Sequence, residues 1–137
     1  MREILFRGKT SSGDWVYGDY AKSTRSMVSN KKPHKSWIIG GFTSNGGWIT
    51  PLYRHPVDED TVGQYIGLVD KNGTKIFEGD IIEISGERYR VYFVNKYSRF
   101  AVIKQGVIAG IINFNNSEVI GNIHDNPELM KGETYGK

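Results

Sequence analysis

The chain contains no cysteine, which excludes disulfides, thiolate nucleophiles and Cys-ligated zinc together. Such a chain suits a reducing compartment, and a cytoplasmic location is the expectation. Long apolar runs are missing as well, and nothing approaches the ~20 residues that span a bilayer. The opening MREILFRGKTSS carries Arg2, Glu3, Arg7 and Lys9 around a three-residue apolar run, so it cannot serve as the apolar core of a signal peptide. A soluble protein with no membrane partner is expected.

Catalytic signatures are equally sparse. His34, His55 and His124 are scattered, without the spacing of an H-E-x-x-H zinc helix. No G-x-S-x-G elbow occurs. The glycines of GGFTSNGG are followed by Trp48, whereas a phosphate-binding loop needs Lys-Ser or Lys-Thr after its last glycine; a hairpin tip is the better reading. Glu78 and Asp80 would share a strand face, as paired acid and base carboxylates do, yet their setting between KIF and IIEI reads as a bend in which Asp80 accepts nearby backbone N–H groups. The turn HPVDED, residues 55–60, offers oxygen ligands for a divalent ion, but adjacent carboxylates alone are usually a solvated turn. No catalytic residue, metal or cofactor is expected. An enzyme without recognisable motifs, metal-assisted through residues 55–60, is the third reading of function.

What the sequence does have is short β-type runs separated by Gly, Asn, Asp and Ser clusters. ILFRG and WVYGDY flank KTSSGD, an opening hairpin. WIIGGF and GWITPLY flank TSNGG. RHPVDEDT reads as a chain turn and a boundary. QYIGLVD and TKIFEGD flank KNG, where Asn72-Gly73 signals a type I′ turn. IIEI, RYRVYFV, RFAVI, VIAGIINF and VIGNI follow, and VIAGIINF, apolar on both faces, fits a buried or interfacial strand. Asn126 and Pro127 are placed to start a short helix, with Gly132 to stop it. No helical stripe persists. The fold class is all-β: two small packed β subdomains, sandwich or barrel-like, with a short C-terminal helical turn. Residues 1–57 form the first, carrying a basic loop excursion, and 58–137 the second, with SH3-like barrel character.

The net charge is only +3 but unevenly spread. No Asp or Glu lies between Asp19 and Asp58, where Lys22, Arg25, Lys31, Lys32, Lys35 and Arg54 occur; residues 88–117 repeat the pattern with Arg88, Arg90, Lys96, Arg99 and Lys104. Cations track phosphates and exposed aromatics stack on bases, so Lys22, Arg25, Lys31, Lys32 and Lys35 beside Trp37, with Arg88, Arg90 and Tyr92 on one strand face, are the candidate nucleic-acid-binding residues. Aromatics fill cores more often than they bind, so at least two of Trp37, Phe42 and Trp48 are expected inside.

MREILFRGK, GDWVYG, VDEDTVGQYIGLVDKNGTKIFEGDIIEI and VIGNIHDNPELM resemble the YopX family, small proteins found mainly in bacteriophages and prophages. The most specific part is the ordered set TVGQYIGL, DKNG, EGDII and GNIHDNPEL. The likeness leaves out the basic stretch near residues 21–48. Where the family commonly has Thr, this chain has Ile66; it has Val69 near a family Lys, and His124-Asp125 where Tyr and Glu are usual, which counts against His124 as a required group. The resemblance implies an all-β fold, a phage or prophage origin and self-association, and supplies no catalytic residues. A non-enzymatic, oligomeric binding or assembly module is the expected function, with copies of itself and phage or host protein as partners. The alternative is a nucleic-acid-binding module.

Overall fold

The computed structural model describes residues 3–22, 35–94, 99–104, 107–108 and 113–130, and these are built almost wholly from antiparallel strands with two short 3-10 turns. The chain forms two compact units, Glu3–Gln64 and Tyr65–Lys137, and the division falls inside one strand, β6 (Tyr53–Val69).

In Glu3–Gln64, β1 (Phe6–Lys9) pairs with β2 (Trp15–Lys22), β2 with β3 (Ser36–Gly40), and β3 with the first part of β6. Residues 58–64 of β6 then turn to pair with β1, which closes the ladder into a small ring. Closure removes the free edges of β1 and β3. The alternation of β3 follows from period two: Ser36, Ile38 and Gly40 are buried, while Trp37 and Ile39 face the other way. Ile38 is fully buried, worth about 1.5–3 kcal/mol for such a side chain.

The expected turn at RHPVDEDT is instead part of β6, with a correction of a specific kind. Arg7 pairs with Gly63 and Lys9 with Asp58, so β6 carries extra residues opposite Gly8. This is a large β-bulge, the device by which a strand bends sharply without ending. Asp58 Oδ1 accepts the Asp60 N–H at 3.0 Å, the Thr61 hydroxyl donates to Asp58 O at 2.6 Å, and the Lys9 N–H donates to Thr61 Oγ1 at 2.8 Å. The turn chemistry read from the residues is present, but it bends a strand rather than stopping one.

In Tyr65–Lys137, the end of β6 pairs with β7 (Lys75–Phe77). A separate sheet runs β11 (Val107–Ile108), β10 (Arg99–Lys104), β9 (Glu87–Val94), β8 (Asp80–Ile84), β12 (Glu118–Asn122). Ile66, Ile76, Ile82, Val91 and Val102 form its core, with Tyr89, Phe100, Phe114 and Val119 packed against them. The bend EGD stitches this unit together: Asp80 Oδ2 accepts the Phe77 N–H at 2.7 Å, the Gly79 N–H donates to Val91 O at 2.8 Å, and the Ile123 N–H donates to Gly79 O at 2.9 Å. Asp80 is buried, so the stretch folds, as its residues suggest.

Two local readings change. Gly73 alone takes a positive φ in the KNG loop, and the Gly73 N–H donates to Asp70 O while the Asp70 N–H donates to Thr74 O. That is a three-residue loop with glycine in the left-handed position, not a type I′ turn. The same pair of bonds, Gly13 N–H to Thr10 O and Thr10 N–H to Asp14 O, closes the β1–β2 loop. Asn126 precedes a 3-10 turn, Pro127–Met130, but its side-chain oxygen accepts from the Asn122 N–H behind it instead of capping ahead. Gly132 lies outside the described residues, as do residues 109–112 of VIAGIINF.

Candidate interaction surface

The basic residues proposed from the sequence divide between the two units. Lys22 ends β2 and forms an exposed ion pair with Glu59, whose hydrogen bond and charge raise the Lys22 pKa above its ordinary value. Lys35, just before β3, holds its ammonium 6.0 Å from the centre of the Trp37 ring. Lys22 is opposite Ser36 in the β2–β3 register, so these two cations share one end of that ladder. Arg25, Lys31 and Lys32 lie outside the described residues.

On β9, Arg88 and Arg90 alternate with Tyr89 and Val91, which point to the core. Arg88 Nε is 3.7 Å from Glu83 Oε2, and its Nη1 donates to Leu129 O at 3.1 Å. Its charge is therefore already engaged. Arg90 Nε is buried with no hydrogen-bond partner among the described residues, and Tyr92 is half-buried. The face is also partly occupied. Ile81, opposite Arg90, is fully buried, and a Cβ added at Gly121, opposite Ile81 on the other side, would lie 2.9 Å from Leu129 of the C-terminal turn.

The aromatics depart most from expectation. Phe42 is 47% exposed, Trp48 78%, and Trp37 half-buried. The reason is an arm. Strands β4 (Thr43–Asn45) and β5 (Trp48–Thr50) form a two-stranded ladder of their own, hydrogen-bonded to no third strand among the described residues. Asn45 is opposite Trp48 and Ser44 opposite Ile49, so by strand alternation Trp48 and Ile49 sit on opposite faces. Ile49 is 74% exposed and Leu52 72%. The arm is thus apolar on both faces and open at both edges. Residues 36–53 include no Asp, Glu, Lys, Arg or His. The hairpin itself was legible from TSNGG; its lack of packing was not, since the same pattern describes a core hairpin.

Two weaker features complete the survey. A cleft of about 450 Å³ lies at the β6 bulge, lined by Lys9, Thr10, Ser11, Pro56, Val57, Asp58 and Thr61. The acidic turn at residues 55–60 spends the Asp58 carboxylate on its own backbone, and among the described residues no three His, Asp or Glu side chains converge as metal ligands. No helix among the described residues is long and apolar enough to cross a membrane.

Comparison with known proteins is decisive on ancestry. The family model described as YopX protein matches residues 5–131. The chain belongs to the YopX family. The crystal structure of protein EF1440 from Enterococcus faecalis shares its fold, with a TM-score of 0.62 and 22% identity over 96% of this chain and 100% of that one. No curated protein matches. The span matched by the YopX family takes in the whole β4–β5 arm, although the four stretches that first suggested the family lie outside it.

Proposed function

We propose that this YopX family member is a non-enzymatic accessory protein of phage or prophage type, acting in the host cytoplasm by binding and assembling with copies of itself through the β4–β5 arm. The observation that carries the reading is the arm's exposure on both faces. An isolated two-stranded hairpin is marginal in water without a surface to pack on. Taking about 150–250 Å² for a fully exposed large side chain, Phe42, Trp48, Ile49 and Leu52 present on the order of 500 Å² of apolar surface. That is near the upper end of what a monomer leaves bare and more than half of the ~800 Å² that each partner contributes to a standard interface. A two-fold contact brings the same patch of both copies together, and a segment free of charge meets no like-charge repulsion there. Two apolar faces ask for a partner that encloses the arm rather than one that merely abuts it.

Light scattering coupled to size exclusion tests this directly. The wild-type chain is expected to run at a multiple of its 15.5 kDa mass, and a Trp48→Ser/Ile49→Ser double variant at the monomer mass with an unchanged circular dichroism spectrum. A monomeric wild type at micromolar concentration sinks the proposal, as does a double variant that keeps the wild-type mass.

A further inference from the structure

We propose that the face of β2, β3 and β6 turned away from Ile38 is a second self-association surface. On it, Asp19 and Arg54 of one copy pair with Arg54 and Asp19 of another about a two-fold axis running close to the line of β3. This deepens the self-assembly proposed above, on which it rests, by giving the contact a symmetry and a pair of residues that select the partner.

Register builds the face. Asp19 on β2 is opposite Ile39 on β3, and Ile39 is opposite Arg54 on β6, so the three side chains stand in one row on one side of the sheet. The next row on that side is Ala21, Trp37 and Pro56. Asp19 and Arg54 are exposed, while Ile39 and Trp37 are half-buried. Neighbouring strands lie about 4.8 Å apart, which sets Asp19 and Arg54 at equal distances from β3 on its two sides. Ile39 stands between the charges, and among the described residues neither of them forms an ion pair. The guanidinium carbon of Arg54 lies 5.9 Å from the Trp37 ring centre, a contact that orients a cation without cancelling its charge.

An apolar line with opposite charges on its two flanks is complementary to its own copy. Half a turn about an axis along β3 keeps Ile39 and Trp37 on the axis, where each meets its counterpart, and exchanges the flanks. Asp19 then comes opposite Arg54 of the second copy, and Arg54 opposite Asp19 of the second copy. An axis across the strands would instead set Asp19 against Asp19 and Arg54 against Arg54, the repulsive arrangement. An acid on this face repels a phosphate backbone, so a second copy suits it better than nucleic acid. The line along β3 ends at Lys35, exposed beside Trp37, and its charge plays no part in either pair. At the other end β3 stops at Gly40, and only Gly41 and Phe42 separate it from the arm. The face orients a contact whose apolar area the arm supplies.

Sedimentation velocity of the full chain tests the pairing, with circular dichroism to show that each variant is folded. Asp19→Arg and Arg54→Asp each turn both pairs into like-charge contacts and should weaken self-association by on the order of tenfold or more. The double variant Asp19→Arg/Arg54→Asp re-forms both pairs with signs reversed and should recover most of that loss. The two single variants, mixed, should assemble with each other in preference to themselves, because one carries two cations where the other carries two acids. Raising salt from about 50 to 500 mM should narrow the gap between wild type and either single variant. Wild-type affinity in both single variants overturns the inference and leaves assembly through the arm intact. A double variant weaker than either single one, or a mixture that does not assemble, does the same. A monomeric wild type overturns the inference together with self-assembly itself.

Discussion

The carboxylate of Asp70 accepts the backbone N–H of Val119 at 2.9 Å, so the β6–β7 loop is tied to a strand 49 residues further along the chain. Its other oxygen accepts the N–H groups of Asn72 and Thr74, each at 2.9 Å, and the Lys71 N–H donates to Ser117 O beside it. A side chain that looks like a local turn residue is therefore a long-range clasp. Asp70 is only 4% exposed, and a buried carboxylate is tolerated because three N–H donors replace the water it gives up.

Removing this clasp should be costly. Each hydrogen bond to a charged group contributes about 1.5–3 kcal/mol and the bonds are not additive, so Asp70→Ala is expected to lose about 3–5 kcal/mol. Asp70→Asn keeps one acceptor oxygen and should lose about 1–3 kcal/mol. Urea titration followed by tryptophan emission gives both, and an Asp70→Ala midpoint equal to that of the wild type would falsify the assignment.

The same residue sets an acid limb of stability. Burial pushes the Asp70 carboxyl up, but the N–H donors of Val119, Thr74 and Asn72, with the Lys71 charge, hold it below its ordinary value of 3.8. A carboxyl whose folded pKa is depressed binds fewer protons folded than unfolded, so its contribution is fully present above the unfolded value. That contribution is lost as pH falls through the depressed folded one. The Asp70 contribution to the urea midpoint should therefore be full and independent of pH near neutrality, and decline below about pH 4. The difference between wild type and Asp70→Asn should shrink over that interval, and a difference that stays constant down to pH 2 would contradict the mechanism.

Much of this architecture was legible because β-strands announce themselves by alternation and their ends by turn chemistry. TSSGD and DKNGT each place glycine last in a three-residue loop between its two flanking residues, and both close with the same two backbone bonds. The turn type at Asn72-Gly73 was misread because the dipeptide alone does not specify loop length; Asp70, two residues earlier, takes the Asn72 N–H and selects the longer loop. Two-residue turns with positive φ at both positions occur instead at Ser85-Gly86, between Ile84 and Glu87, and at Gly46-Gly47, between Asn45 and Trp48. RHPVDEDT misled for a related reason: acids and proline mark a break in pairing, and a bulge breaks pairing without ending the strand. The candidate surfaces were harder. Whether Trp48 packs inside or stands in solvent depends on which third element reaches it, and no spacing in residues 42–52 encodes that. Arg88 shows the converse, a surface-patterned cation consumed by Glu83 and the Leu129 carbonyl from elsewhere in the chain.

A last prediction concerns Gly40, whose partner across the β3–β6 ladder is Tyr53. The tyrosine ring lies over the glycine: an added Cβ would stand 2.1 Å from Tyr53 Oη and 2.5 Å from Cζ. The Tyr53 hydroxyl meanwhile donates to Tyr17 O at 3.0 Å, and its ring centre is 5.4 Å from that of His55. Gly40→Ala must therefore swing Tyr53 away and forfeit both contacts, an overpacking cost of about 1–3 kcal/mol. Tyr53→Ala alone gives up the same contacts without the clash. If the clash is the reason for glycine, Gly40→Ala should cost almost nothing once Tyr53 is alanine, and the double-mutant cycle should return a coupling of about 1–3 kcal/mol. Additive losses in urea unfolding would mean that Gly40 is required by its own backbone and not by the ring above it.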